Sequence, residues 1–132
     1  MTIHLLDTNI WIAFARGDAA VRARMIALDP AAIATCSVVK GELFYGARKS
    51  QRVDANLTAF DQMLAPFRSL PFHAEAAAHY GLIRAALEQI GTPIGGNDLM
   101  IASIALAFDC RLITRNTREF VRVPGLKIES WD

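Results

Sequence analysis

Short apolar runs alternate along this chain with longer stretches in which apolar residues recur every three or four positions. The short runs are strand-sized and the longer stretches helix-sized, so the pattern predicts alternating strands and helices. Ile3 to Leu6 reads as a buried strand, with apolar residues on both sides of His4. After Asp7, Thr8 is placed to cap a helix in which Ile10, Trp11 and Phe14 follow the helical period. Gly17-Asp18 ends that helix and begins a second over Ala19 to Leu28. Asp29-Pro30 stops it, because proline lacks the N–H donor and disfavours helix in the residue before it. Ala32 to Cys36 reads as a second strand, and Ser37 as the cap of a helix running to Arg48, with Val39, Leu43 and Ala47 stacked along one side.

A further helix is expected from Val53 to Leu64, stopped by Pro66, then a third strand from Phe67 to Leu70, ended by Pro71. A long helix from Ala74 to Ile90 carries Ala76, Tyr80, Ile83, Leu87 and Ile90 on one apolar side. Gly91 to Gly96 is a loop whose glycines permit positive φ and close backbone approach. Asn97 or Asp98 is then placed to cap an apolar helix from Leu99 to Ala107. Arg111 to Thr114 gives a fourth strand, Thr117 to Phe120 a helical turn, and Leu126 to Glu129 a fifth strand. This alternation implies an α/β fold with a mainly parallel sheet covered on both faces. No repeat or internal boundary appears, so residues 1–132 are expected to form one domain.

Composition narrows the class. With 132 residues, 53% of them hydrophobic, the chain is a packed globule and not a disordered segment. No apolar stretch reaches the ~18 residues of a membrane helix. The N-terminus shows no charged leader followed by an apolar core, so the expectation is a soluble cytoplasmic protein without membrane association. A net charge of +1 does not advertise a nucleic-acid partner. Two local clusters are basic: Arg48, Lys49 and Arg52, and Arg111, Arg115, Arg118 and Arg122. Such groups supply phosphate contacts, although charge runs are more often solvated faces. Cys36 and Cys110 have no Cys or His at metal-ligand spacing and read as buried free thiols. Trp11, Phe14, Phe44 and Tyr45 read first as core and second as a groove for a partner, while His73 and His79 read as surface or partly buried polar groups.

The candidate chemistry lies where apolar segments stop or are interrupted, at Asp7, Glu42, Asp98 and Asn116. Asp7 and Asp98 each have an ordinary alternative as helix caps. Glu42 sits inside a helix beside Gly41, where glycine costs roughly 1 kcal/mol against alanine, so close approach is expected there. A salt bridge from Glu42 to Lys40 or Arg48 is the structural alternative, and surface pairs contribute only ~0–1 kcal/mol. In a parallel sheet, the segments after the first, second and fourth strands open onto the same edge. Asp7 and Asn116 would then be neighbours, with Glu42 and Asp98 approaching from flanking helices. Such a pocket offers oxygen ligands only, which suits Mg²⁺ or Mn²⁺ and not structural zinc. A metal held this way supports phosphodiester hydrolysis.

Four stretches together carry a resemblance: Leu5-Leu6-Asp7-Thr8-Asn9, Ser37 to Ala47, Gly95-Gly96-Asn97-Asp98-Leu99-Met100-Ile101-Ala102, and Thr114 to Phe120. In order and spacing, the chain resembles a PIN-domain ribonuclease, specifically a VapC-type toxin of a bacterial toxin–antitoxin pair. The resemblance implies a three-layer α/β/α fold around a five-stranded sheet. It implies Mg²⁺ or Mn²⁺ bound by Asp7 and Asp98, Glu42 completing a catalytic acidic centre, and Thr8 and Thr114 hydrogen-bonding around it. Asn116 stands where many PIN proteins carry a fourth Asp, which favours one strongly bound cation. Arg48, Lys49, Arg115 and Arg118 would hold the RNA backbone. The resemblance further implies a VapB-type antitoxin, a homodimer, and structured RNA as substrate, with tRNA anticodon loops and initiator tRNA the leading examples.

Three rivals remain. An inactive PIN-like module would bind RNA or protein without cutting. A haloacid-dehalogenase-like, Mg-dependent phosphatase also places an Asp after its first strand, but wants a second Asp two positions later, where this chain has Asn9. A response-regulator receiver would want an early acidic pair and an Asp after the middle strand, and neither is visible.

Overall fold

The computed structural model describes residues 1–132. Its five strands are β1 (His4–Leu6), β2 (Ile33–Cys36), β3 (Arg68–Leu70), β4 (Arg111–Ile113) and β5 (Lys127–Glu129). Its helices are α1 (Thr8–Ala15), α2 (Ala19–Ile26), α3 (Ser37–Arg48), α4 (Val53–Leu64), α5 (Ala74–Gln89), α6 (Gly96–Ala107) and α7 (Thr117–Phe120), with a short 3₁₀ turn at Pro30–Ala32. The strands form one sheet in the order β3-β2-β1-β4-β5, and every pairing is parallel. The expected mainly parallel sheet is therefore wholly parallel.

The strand β1 explains why both faces are covered. Successive strand residues point to opposite faces, and Leu5 and Leu6 are both fully buried. Leu112 and Ile113 repeat the pattern on β4, paired in register with Leu5 and Leu6. Ile101, Ala102, Ile104 and Ala105 of α6 join the same buried cluster, as does Trp11 of α1. The Trp11 indole N–H donates to the Leu6 carbonyl at 3.0 Å, so burying the ring strands no donor. The result is the three-layer α/β/α architecture expected from the sequence.

Local capping resolves one open choice and departs from expectation in two places. Asp7, not Thr8, caps α1, and its carboxylate accepts the Thr8 N–H at 2.8 Å. Cys36, not Ser37, is the cap residue of α3, without a side-chain hydrogen bond. Gly95 caps α6, which puts Asn97 and Asp98 inside its first turn. There the carboxylate faces the positive end of the helix dipole.

Other expectations also change. Ile90 falls just past α5 and is 71% exposed, so it leaves the apolar side. Tyr45 is 65% exposed and is not core. Gly91 does use positive φ, at +74°, whereas Gly95 sits at −60°. A Cβ added to Gly41 would meet nothing within 4 Å, so close approach does not explain that glycine. Cys36 and Cys110 are buried and unpaired, as expected.

Candidate acidic site

Strand order decides which side chains meet. Because β1 lies between β2 and β4, the residues leaving all three strands emerge along one edge. Asp7 comes directly after β1, and its backbone N–H donates to the Ile113 carbonyl at 2.8 Å. That bond fixes Thr114, the residue after β4, beside Asp7. The Thr114 hydroxyl donates to Asp7 Oδ2 at 2.7 Å, while Oδ1 takes the α1 cap bond. Asp7 is only 5% exposed.

From Asp7 a chain of hydrogen bonds runs both ways. On one side, the Thr8 hydroxyl donates to Glu42 Oε1 at 2.7 Å, and the Asn97 amide reaches Glu42 Oε2 at 3.4 Å. On the other, the Asn116 N–H donates to Thr114 Oγ1 at 2.9 Å. The Asn116 amide then donates to Asp98 Oδ2 at 3.2 Å and to Glu119 Oε2 at 3.1 Å. Asp7, Thr8, Asn9, Ile12, Glu42, Asp98 and Asn116 line one hollow of about 220 Å³. Asn116 thus joins the site through Thr114 and Asp98. Glu42 makes no ion pair with Lys40 or Arg48; Thr8 and Asn97 hold it instead.

The electrostatics arise from crowding acids in a half-dry pocket. Burial raises the Asp7 carboxyl above its ordinary range, against the lowering effect of its bonds from Thr114 and Thr8, and the Glu42 charge adds to the rise. Asp98 is pushed up to about 7, chiefly by burial, then by its hydrogen bond with Glu119 and by the charges of Asp7, Glu119 and Glu42. Glu119 moves the opposite way, held low by its bonds to Asp98 and Asn116.

The donor set decides whether a metal fits. No three His, Cys, Asp or Glu side chains form a ready-made cage. Carboxylate and amide oxygens are nevertheless the only donors lining the hollow besides the Thr8 hydroxyl. Mg²⁺ and Mn²⁺ take one or two carboxylates and keep several waters, so an oxygen-only pocket with uncompensated charge suits them.

Glu119 was not singled out by the sequence pattern, although it lies three residues after Asn116 on the single turn of α7. That spacing on a helix is the signal that would have found it. The basic candidates divide. Lys49 lines a hollow with Glu42 and Asn97, its ammonium 4.8 Å from the Tyr45 ring centre. Arg115 instead pairs with Asp18 at 2.9 Å. Arg48 and Arg118 are exposed and touch none of the acids.

Comparison with known proteins gives one answer. A family model described as PIN domain matches residues 4–126. The tRNA(fMet)-specific endonuclease VapC of Shigella flexneri is 39% identical over 127 residues, covering 96% of each chain. Ribonuclease VapC2 of Rickettsia felis is 38% identical over 132 residues, covering 98% of each. Among solved structures, VapBC2 from Rickettsia felis bound to a DNA fragment from its promoter superposes with a TM-score of 0.92 at 37% identity, covering 99% of this chain and 100% of that one. No helix here is long and apolar enough to cross a membrane.

Proposed function

This chain belongs to the PIN-domain family, among the VapC ribonucleases, and we propose that it cuts RNA with Asp7, Glu42 and Asp98 around a divalent cation. The observation that supports the assignment is that buried Asp7 and half-buried Asp98 stand in one hydrogen-bonded acidic cluster, with both carboxyls raised towards protonation. Asp7 and Asp98 would hold Mg²⁺ or Mn²⁺, directly or through water. When bound, the cation supplies charge neutralisation at the scissile phosphate.

The side chains divide the remaining work. Thr8 and Thr114 fix the two carboxylates they touch, so Asp7 and Glu42 need not reorganise during reaction. Glu42 orients the attacking water and receives its proton. The water oxygen bonds to phosphorus as the bond to the 3′ oxygen breaks, leaving a 5′-phosphate and a 3′ oxyanion that takes a proton from solvent water to become the 3′-hydroxyl. Asn116 keeps Asp98 and Glu119 in fixed relation, and Glu119 serves as a fourth acid of the cluster.

The chain acts as the toxin of a toxin–antitoxin pair. Its partner is a VapB-type antitoxin, in line with the VapBC complexes to which it is similar. The substrate is structured RNA, with tRNA favoured and initiator tRNA the leading case, given the name of the Shigella relative. Residues 1–132 act as one domain, as a homodimer in the cytoplasm. The test is cleavage of unfractionated tRNA in Mg²⁺ or Mn²⁺ with and without EDTA, comparing wild type and Asp7→Asn. Cation-dependent cuts that vanish in the folded variant support the assignment; equal cleavage by both would refute it.

A further inference from the structure

Arg115 stands between Thr114 and Asn116, which both bond into the acidic cluster, yet its own side chain goes elsewhere. Its Nη2 donates to Asp18 Oδ2 at 2.9 Å, and its backbone N–H reaches Asn9 Oδ1 at 3.4 Å. Asp18 also caps α2 through the Val21 N–H at 3.1 Å, and Arg115 holds its carboxyl below the usual range. Asn9, Arg16, Asp18 and Arg115 line a hollow of about 620 Å³. That hollow shares Asn9 and Ile12 with the acidic pocket, so the two adjoin. Arg16 is exposed, and its side chain makes no ion pair. Two guanidinium groups therefore face one carboxylate, and the hollow is positive where its neighbour is negative.

We propose that this hollow binds the RNA backbone next to the cleaved phosphodiester, with Arg16 and Arg115 contacting phosphate. The inference rests on the ribonuclease reading of the acidic site. A strand with one phosphodiester over the acids leaves across their rim on either side, and on the side past Asn9 and Ile12 it enters this hollow. One Arg115 N–H group is committed to Asp18, and the rest of its donor fork is uncommitted. Asp18 thus pre-sets the guanidinium, which lowers the ordering cost of gripping a phosphate. An acidic peptide would meet the same arginines without any need to cross the acids, so the position of this hollow beside the acidic pocket favours RNA.

The experiment is steady-state cleavage of unfractionated tRNA in Mg²⁺ or Mn²⁺ at several salt concentrations. It compares wild type, Arg16→Ala, Arg115→Ala, the double variant, Asp18→Asn, and Arg24→Ala as a distant control. Each single arginine variant should raise KM roughly 5-fold with kcat within about 2-fold. The salt dependence of kcat/KM should flatten by about 0.7 in log–log slope per arginine removed. Asp18→Asn still caps α2 but holds Arg115 less firmly, so it should raise KM by less than Arg115→Ala does, with kcat within about 2-fold of wild type. If it instead reproduces the Arg115→Ala loss, chiefly in kcat, Arg115 merely props the β4–α7 loop and the proposal fails. Unchanged KM and salt slope in the double variant would likewise overturn it, including in favour of a protein-facing hollow. Absence of cleavage by wild type would count against the ribonuclease reading and not against this one.

Discussion

Replacing Asp98 with asparagine should destroy cleavage and at the same time stabilise the cation-free protein. The native Asp98 carboxyl is raised from 3.8 to about 7, a rise of roughly three units. At about 1.36 kcal/mol per unit, that sets a ceiling near ~4 kcal/mol for the cost of ionising it in place. The group is only half-buried, and solvent screening reduces the figure to about 1–2 kcal/mol. The native carboxyl holds its proton more tightly than the unfolded one, so folding takes up a proton between about pH 4 and pH 7. Wild-type stability therefore falls as pH rises through that window and is flat above it, with respect to this group. Asparagine carries no charge, so the variant lacks this loss. For a domain of this size, the Tm should rise by roughly 3–8 °C at pH 8 in EDTA, with little difference near pH 4. Thermal melts by circular dichroism across pH 4–8.5 measure it, and added Mg²⁺ or Mn²⁺ should narrow the gap by stabilising wild type. A variant no more stable than wild type at pH 8, or a gap independent of pH, would refute the crowding argument.

Two further outcomes test the surroundings of the cluster. Thr114→Val strips the hydroxyl that serves both Asp7 Oδ2 and the Asn116 N–H, leaving two polar groups short of a partner. Urea unfolding should show a loss of about 2–3 kcal/mol, with Thr114→Ser near wild type; a loss below about 0.5 kcal/mol would contradict the network. Burial pushes the Cys36 and Cys110 thiols up to about 11, so Ellman's reagent at pH 8 should leave the native protein unlabelled and titrate both only after unfolding.

The elements were legible where hydrophobic period and punctuation agreed. The helix from Val53 to Leu64 was read to the residue, because its apolar side is regular and Pro66 blocks any further turn. Errors cluster at helix starts, where several polar residues compete for one cap. Asp7 prevails over Thr8 because its carboxylate is anchored by Thr114 across the sheet, a contact that local sequence does not contain. Gly95 displaces Asn97 and Asp98 because an extra turn at the start of α6 carries Asp98 to the Asn116 amide. Glu119 escaped notice because a four-residue helix has too little pattern to mark a face. The Arg115–Asp18 ion pair could not be read from the sequence because the two residues lie 97 positions apart. The acids themselves were legible, since each interrupts an apolar segment.

The bond from Thr114 to Asp7 also sets a clock on synthesis. It joins residues 107 positions apart, and β1 cannot be flanked on both sides until β4 exists. At ribosomal rates of about 5–20 residues per second, roughly 5–20 s separate the first acid from the strand that fixes it. A nascent chain that stops short of β4 therefore lacks the bond that fixes Asp7 in the acidic cluster. The ribosome is not exposed to an assembled acidic cluster until β4 has been made.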